Sequence, residues 1–146
     1  MIINFTENGN LHEPQTLSYG EFKKVFGFNQ PRKEKIDRAL LFLKILNSFG
    51  CIKVYVTGSF VSNEEYPNDI DLCVYDEGVD YLGFTKEYPD FLQPKRIEKM
   101  KKEHGVHFVL FFGEDNKGYI ERFKKDRSGH PRALVEIYLN DIDTYT

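Results

Sequence analysis

The stretch VYVTGSFVSNEEYPNDIDLCVY, residues 54–75, decides the fold and the site that this sequence predicts. Alternating apolar residues predict one strand over 52–57 and a second over 69–75. The first strand ends in a sharp turn at Gly58-Ser59, and a polar loop then leads to the second strand. If the two strands are neighbours in one sheet, the turn and the start of the second strand border the same cleft.

Two carboxylates at the start of the second strand supply the chemistry. Asp69 and Asp71 stand two residues apart, so both project from one face of the strand. Their repulsion favours a bound cation, and Mg²⁺ is usually held by one or two carboxylates together with phosphate oxygens. Gly58 and Ser59 suit a phosphate, because glycine allows close backbone approach and the hydroxyl donates to oxygen. Either motif alone is more often a solvated turn or strand face; together, between apolar strands, they predict a metal and nucleotide site.

The rest of the chain predicts helices that alternate with further strands. Ser18 caps a first helix with Glu21 as its capping-box partner, and Pro31 suits the first turn of a second helix. The expected elements are helices over 18–26, 31–50, 94–103 and 119–127, and strands over 106–112 and 133–139. The predicted fold class is α/β (α+β), a small mixed central sheet with helices packed against it. Residues 1–146 are expected to form a single domain, with 1–17 as an extended lead-in.

The composition is that of a globular protein and excludes several functional classes. The chain has 146 residues, 40% of them hydrophobic, and its net charge of −3 argues against non-specific coating of nucleic acid. Cys51 and Cys73 lie far apart and form no CxxC pair, so neither a disulfide scaffold nor a zinc site is expected. Neither a secretory signal nor a run of about 18 apolar residues is visible, which predicts a cytoplasmic protein without a membrane partner.

Residues 54–75 resemble the signature of the polymerase-β-like nucleotidyltransferase superfamily, a Gly-Ser turn followed by an Asp-hydrophobic-Asp strand. The wider chain is similar to a family of short bacterial nucleotidyltransferase-like proteins, in which a helical lead-in precedes GSFV and PNDID. In that family a later FxxDRxGxP-type segment, here within FKKDRSGHPRALVEIYL (123–139), precedes a terminal strand. The resemblance thus spans residues 17–139 and implies a nucleotidyltransferase-like fold.

The resemblance also implies an activity and a role for each motif residue. The reaction would transfer a nucleoside monophosphate from an NTP to an acceptor and release pyrophosphate. Gly58 and Ser59 would contact the triphosphate, while Asp69 and Asp71 would be catalytic and would ligate Mg²⁺. In the active superfamily members, a third carboxylate on a later strand completes the metal site.

The third predicted strand departs from that pattern. It reads GVHFVLFFG (105–113), with His107 in the expected position of the acid and no acid inside the strand. His107 is either a hydrogen-bonded core residue or part of the site. Glu136, on the last strand, is the candidate for the third catalytic carboxylate if that strand lies alongside; otherwise it pairs with a nearby arginine. Glu114 and Asp115 follow the third strand and are expected at its far end.

Lys124 and Arg127 are predicted to bind the nucleotide, because they belong to the basic cluster within the second resembling segment. That cluster is Arg122, Lys124, Lys125, Arg127 and Arg132. Such clusters are more often solvated helix faces, although one beside the cleft would neutralise a triphosphate. The implied partners are an NTP and a protein or tRNA acceptor, with a partner protein or a homodimer extending the surface, and a toxin–antitoxin or phage-defence setting. The alternative is a catalytically degenerate nucleotide-binding or protein-interaction module on the same scaffold.

Overall fold

The computed structural model describes residues 3–91, 93–109 and 120–146. In this part of the chain, five strands form one mixed sheet in the order β1-β5-β2-β3-β4. The strands are β1 (Gln15–Leu17), β2 (Lys53–Thr57), β3 (Ile70–Val74), β4 (Val106–Val109) and β5 (Val135–Tyr138). Strand β2 runs antiparallel to its neighbours β3 and β5, whereas the outer pairs β1–β5 and β3–β4 are parallel.

Helices pack against this sheet, so the predicted mixed sheet with packed helices is confirmed. They are α1 (Tyr19–Phe26), α2 (Gln30–Ser48), α3 (Tyr81–Glu87) and α4 (Pro94–His104). Helix α1 begins with the predicted capping box, in which the Ser18 hydroxyl accepts from the Glu21 N–H and the Glu21 carboxylate accepts from the Ser18 N–H. Gly105 ends α4 at a φ of 67°, which glycine adopts without strain. Among the described residues, no helix is long and apolar enough to cross a membrane.

The two faces of the sheet have different surroundings. Alternate strand residues such as Val54, Val56 and Leu72 are fully buried in the main core, where they pack with the helices. The residues between them point to the opposite face. On that second face Cys73 and Leu134 belong to a smaller apolar cluster. The polar residues of the candidate site lie on this second face, beside the smaller cluster.

Two segments differ from the sequence prediction. Within the extended lead-in, Gln15–Leu17 joins the sheet as an edge strand parallel to β5. The helix predicted over 119–127 is helical only at 120–122 in its described part, and Lys125 instead pairs with Pro131 in an isolated antiparallel bridge. The reason is local, because the Asp126 side chain accepts backbone N–H groups from the next turn and so competes with helix formation. The third strand is described as far as Val109.

Candidate functional site

A pocket of about 1010 Å³ opens on the second face of the sheet. Two groups of residues line it. The strand wall comprises residues 57–59 together with Asp69, Asp71 and His107, all on or next to β2, β3 and β4. The turn wall comprises residues 125–132, and the side chains of this turn that line the pocket belong to Lys125, Asp126, Arg127, Ser128 and Arg132. Both segments that carry the sequence resemblance therefore border one pocket.

Strand pairing places Asp71 between Thr57 and His107. Asp71 is the register partner of Thr57 on β2 and of His107 on β4. The Nδ1 of His107 lies 2.9 Å from the Oδ1 of Asp71, and the two side chains are only 30% and 26% exposed. His107 thus lies beside the acid pair and holds one carboxylate oxygen of Asp71, so it belongs to the site rather than to the apolar core.

Gly58 allows the turn after β2 to lie directly against the Asp71 carboxylate. Its φ is 74°, in the left-handed region that side-chain-bearing residues rarely adopt. A Cβ built on Gly58 would also overlap Oδ2 of Asp71. Ser59 follows in the 3₁₀ turn Gly58–Val61 and lines the same pocket. The Gly-Ser turn and the acid pair are therefore adjacent in the fold, as the sequence predicted.

Two polar groups of the strand wall are in energetically unfavourable surroundings, the Asp69 carboxylate and the Thr57 hydroxyl. Burial, and then repulsion from Asp71, raise the pKa of Asp69, although Lys101, His107 and Lys35 partly offset the rise. The Oγ1 of Thr57 is buried and has no hydrogen-bond partner in the described part of the chain. Buried hydroxyls normally have a partner, so the Oγ1 of Thr57 is an exception on the strand that pairs with Asp71. A cation bound at Asp69 and Asp71 would relieve the repulsion between their carboxylates.

Asp69 and Asp71 are oxygen donors of the kind that can hold Mg²⁺. Mg²⁺ requires octahedral oxygen ligands and commonly takes only one or two of them from protein carboxylates, with the rest from water and phosphate. Asp69 and Asp71 supply the carboxylates. Within the described ranges no group of three or more His, Cys, Asp and Glu side chains could hold a metal ion by itself. Asp69 and Asp71 could therefore hold such an ion only together with further oxygen ligands.

The turn wall is held in shape by the Asp126 side chain. Its Oδ1 accepts the backbone N–H groups of Ser128 and His130, each at 2.9 Å, and its Oδ2 accepts from Nδ2 of Asn10 at 3.0 Å. The hydrogen bond from Asn10 is the main reason that the pKa of Asp126 is lowered to about 2; burial opposes it, and the two backbone hydrogen bonds add to it. Asn10 is 1% exposed, so the turn is anchored to a buried residue near the start of the chain.

Cationic side chains line the pocket on the side of the turn wall and of α4. They are Lys101, Lys125, Arg127 and Arg132. Among the described ion pairs within 4.0 Å, none involves any of these four. Lys124, predicted as a nucleotide-binding residue together with Arg127, pairs instead with Glu121 at 2.7 Å and does not line the pocket. Arg127 lies where the prediction needs it, whereas Lys125 takes the place predicted for Lys124.

Glu136 lies apart from the acid pair. Its Oε1 is 3.0 Å from Nζ of Lys53, and its Oε2 accepts from Oγ1 of Thr16 at 3.1 Å. Burial opposes ionisation, but hydrogen bonds from Lys53 and two further side chains lower the pKa of Glu136. The structure does not bring Glu136 into the pocket, and it pairs with a lysine of β2 rather than with an arginine. The third-carboxylate role predicted for it is therefore not supported, while Glu114 and Asp115 lie outside the described residues.

Arg32 on α2 is a functional candidate that the sequence analysis missed. It is fully buried, and its guanidinium donates to the carbonyl oxygens of Phe26, Phe60, Ser62 and Glu64. Burial lowers its pKa to about 10, with the charge of Glu64 opposing. Arg32 thus fixes the loop that follows Gly58. A signal was available, because Arg32 precedes Ile36 by one helical turn and so continues the apolar stripe of α2.

One family model matches nearly the whole chain. The model described as "Family of unknown function (DUF6932)" matches residues 3–138. The chain belongs to the DUF6932 family. The DUF6932 match includes both walls of the pocket as well as Asn10 and Arg32. No curated protein and no solved structure gave a significant match to the chain.

Proposed function

We propose that this protein is an Mg²⁺-dependent nucleotidyltransferase that transfers a nucleoside monophosphate from an NTP to a macromolecular acceptor. One observation supports the proposal above all: the Gly58 turn, the pair Asp69 and Asp71, and the cationic turn wall border a single pocket. The resemblance to polymerase-β-like nucleotidyltransferases rests on residues 54–75, and the resemblance to short bacterial nucleotidyltransferase-like proteins includes the second segment as well. Two segments more than 50 residues apart in sequence that meet at one pocket favour a shared ligand over two unrelated polar surfaces.

Each wall has a separate task in the proposed reaction. The acceptor hydroxyl attacks the α-phosphorus, the bond to the oxygen bridging the α- and β-phosphates breaks, pyrophosphate leaves, and the proton of the acceptor passes to water. Bound Mg²⁺ would neutralise charge on the phosphoryl oxygens. Asp69 and Asp71 hold the ion, and Gly58 and Ser59 place a turn of the backbone next to it. The cations of the turn wall stabilise the charge that develops on the leaving pyrophosphate.

The size of the pocket and the sequence resemblance bear on the acceptor. A volume of about 1010 Å³ lies at the upper end of the range of about 300–1,000 Å³ for small-molecule pockets, which leaves room for an acceptor group beside a nucleotide. Short bacterial members of the superfamily that the chain resembles often belong to toxin–antitoxin or phage-defence pairs. We therefore propose a partner protein or a tRNA as acceptor, with the partner or a second copy of the chain extending the binding surface. Use of an NTP would place the reaction in the cytoplasm.

Calorimetric titration with non-hydrolysable analogues of each Mg·NTP tests the proposal. We expect metal-dependent binding of one or more analogues, and a loss of about 100-fold or more in Asp71→Asn, because an amide replaces a ligand of the ion. Asp143→Asn is the matched control, since Asp143 is an exposed acid in the 3₁₀ turn Ile142–Thr144, outside the pocket. Equal binding by wild type and Asp71→Asn would show that the site is assigned wrongly. Labelled NTPs incubated with tRNA and with candidate partner proteins then identify the acceptor.

A second candidate function is a nucleotide-binding module that no longer catalyses transfer. It is favoured by the absence of an acid at the position of His107 and by the location of Glu136 outside the pocket. The two functions separate in the same experiments. A binding module takes up Mg·NTP with the same dependence on Asp71, but it transfers no label to any acceptor and releases no pyrophosphate.

A further inference from the structure

Arg132 is a partly buried cation that donates a single side-chain hydrogen bond within the described part of the chain. It lines the pocket, and in the described residues only the Nε of its guanidinium donates a hydrogen bond, to Oδ1 of Asn10 at 2.8 Å. No described carboxylate lies within 4.0 Å of it. The guanidinium of Arg32, by contrast, donates hydrogen bonds to four backbone carbonyl oxygens. A guanidinium has five N–H donors in a planar fork, so Arg132 retains the edge that binds phosphate oxygens in pairs.

Asn10 connects Arg132 to the rest of the turn wall through both ends of its amide. Its Oδ1 accepts from Arg132, and its Nδ2 donates to Oδ2 of Asp126 at 3.0 Å and to the carbonyl of Pro131 at 3.2 Å. Only a side chain with a donor and an acceptor on one short stem can make this set of contacts. Asn10 is thus the common partner of the cation and of the acid that shapes the turn.

The segment around Asn10 also touches the loop that follows Gly58. Asn10 pairs with Ser62 in an isolated antiparallel bridge, and the N–H of Leu11 donates to the carbonyl of Val61 at 3.0 Å. On the other side, the N–H of Ala133 donates to the carbonyl of Leu11 at 3.0 Å. Residues 10–11 therefore lie between the two walls and are bonded to the backbone next to each of them.

We propose that Asn10 is a positioning residue that holds Arg132 in place to bind the β- and γ-phosphates, which leave together as pyrophosphate. The inference deepens the proposed function and rests on it, because the same pocket must receive the NTP. It assigns binding of the leaving pyrophosphate to Arg132, whereas the sequence predicted that Lys124 and Arg127 bind the nucleotide. Fixing Nε leaves the two terminal nitrogens of Arg132 free to bind one phosphate side by side. A lysine at position 132 would keep the charge but lose that geometry.

The test compares Asn10→Ala, Arg132→Lys and the double variant, with Asn47→Ala as the matched control. Asn47 is a half-buried asparagine with an amide hydrogen bond to the carbonyl of Cys51 at 3.0 Å, near the end of α2 and outside the pocket. Three measurements are made on each protein: thermal unfolding, calorimetric titration with inorganic pyrophosphate and Mg²⁺, and NMR of the arginine Nε–H groups. The NMR signal reports the contact between Asn10 and Arg132 without any ligand.

We expect a protected Nε–H signal of Arg132 that Asn10→Ala abolishes and Asn47→Ala retains. Pyrophosphate affinity should fall about tenfold in Asn10→Ala and in Arg132→Lys, the effect of one lost charge-assisted hydrogen bond. The pyrophosphate affinity of the double variant should be little lower than that of either single variant, because both substitutions disrupt the same pair of side chains. An affinity of Asn10→Ala equal to that of Asn47→Ala overturns the positioning role. If Asn10→Ala does not fold, full pyrophosphate affinity in Arg132→Lys overturns it instead.

The same titrations separate this inference from the proposed function. Pyrophosphate binding that depends on Asn10, in a protein that binds no Mg·NTP analogue, would support the phosphate site and overturn nucleotidyl transfer. Binding of Mg·NTP that is lost in Asp71→Asn but unchanged in the Asn10 and Arg132 variants would support the proposed function and overturn the role of Asn10 and Arg132. If wild type binds neither pyrophosphate nor an NTP, both proposals are wrong.

Discussion

The two walls of the pocket are held in different ways. In the strand wall, Asp71 sits inside a backbone ladder, with register partners on both neighbouring strands. In the turn wall, residues 125–132 have one isolated bridge, and the side chains of Asp126 and Asn10 supply most of the remaining order. Strands thus fix the groups that would bind metal, whereas a side-chain network fixes the turn and one of its cations, Arg132. Substitutions of the strand-wall residues Asp69, Asp71 and His107 should change binding and leave the fold intact, while those of the turn-wall network should change both.

The largest effect in this comparison is expected from Gly58→Ala, with Gly78→Ala as its matched control. Both glycines have positive φ, 74° and 85°, so each substitution should lower the free energy of unfolding by about 1–2 kcal/mol. A Cβ on Gly78 would meet only ordinary van der Waals contact, whereas a Cβ on Gly58 overlaps the Asp71 carboxylate. We therefore expect Gly58→Ala alone to lose Mg·NTP affinity, by about tenfold or more.

Thermal unfolding and calorimetric titration of the two variants check this prediction. Similar losses of stability, with binding lost only in Gly58→Ala, would confirm that the close approach of Gly58 serves the site. If both variants bound Mg·NTP like wild type, the contact between Gly58 and Asp71 would have no part in ligand binding.

The strand wall was predictable from the sequence because its signals are local. Period-two alternation places Asp69 and Asp71 on one face, and the apolar strand before Gly58 marks where the chain must turn. Helices α1 and α4 were predictable for the same reason, since the capping box of Ser18 and the glycine at 105 lie within a few residues of the ends that they define. The mixed sheet follows once such elements alternate along the chain.

The turn wall could not be predicted from local sequence patterns. The contact of Asn10 with Asp126 spans 116 positions, and no periodicity connects them. The basic residues after Ile120 suit a helix by propensity alone, but Asp126 bonds the backbone of its own turn and ends the helix early. Lys124 was selected because it belongs to the basic cluster of the second resembling segment, whereas in the fold its neighbour Lys125 lines the pocket. Predicting such contacts requires the fold, because the residues involved are ordinary in sequence.

A smaller effect, on the stability of the fold, is expected when the pH is lowered, because the turn wall depends on the ionised Asp126 carboxylate. The pKa of Asp126 is lowered to about 2, so its ionised form stabilises the folded state above the ordinary carboxyl pKa of about 3.9. That contribution is lost as the pH falls from about 4 toward 2, where the folded state must also take up the proton. Asp126→Asn cannot titrate and should be less stable than wild type at pH 6. The difference in Tm between the two proteins should narrow between pH 5 and pH 2.

Thermal unfolding across this pH range measures the effect, with Asp143→Asn as a control whose difference from wild type should stay small at every pH. A gap between wild type and Asp126→Asn that stays constant down to pH 2 would mean that the hydrogen bonds to Asp126 do not depend on its charge. The turn would then be held by backbone contacts, and the contrast between the two walls would be smaller than the structure indicates.

The smallest effect is expected at His107, and it decides what this residue does in the strand wall. His107 contacts Oδ1 of Asp71 through Nδ1 at 2.9 Å. Asparagine can place an amide N–H at a similar distance from the backbone, so His107→Asn should keep this hydrogen bond and change Mg·NTP affinity by less than about threefold. His107→Ala frees the carboxylate of Asp71 and should lose about three- to tenfold, since one hydrogen bond to a charged group is removed. Equal and large losses in both variants would mean that the imidazole itself touches the metal or the phosphates, and the role of orienting Asp71 would be wrong.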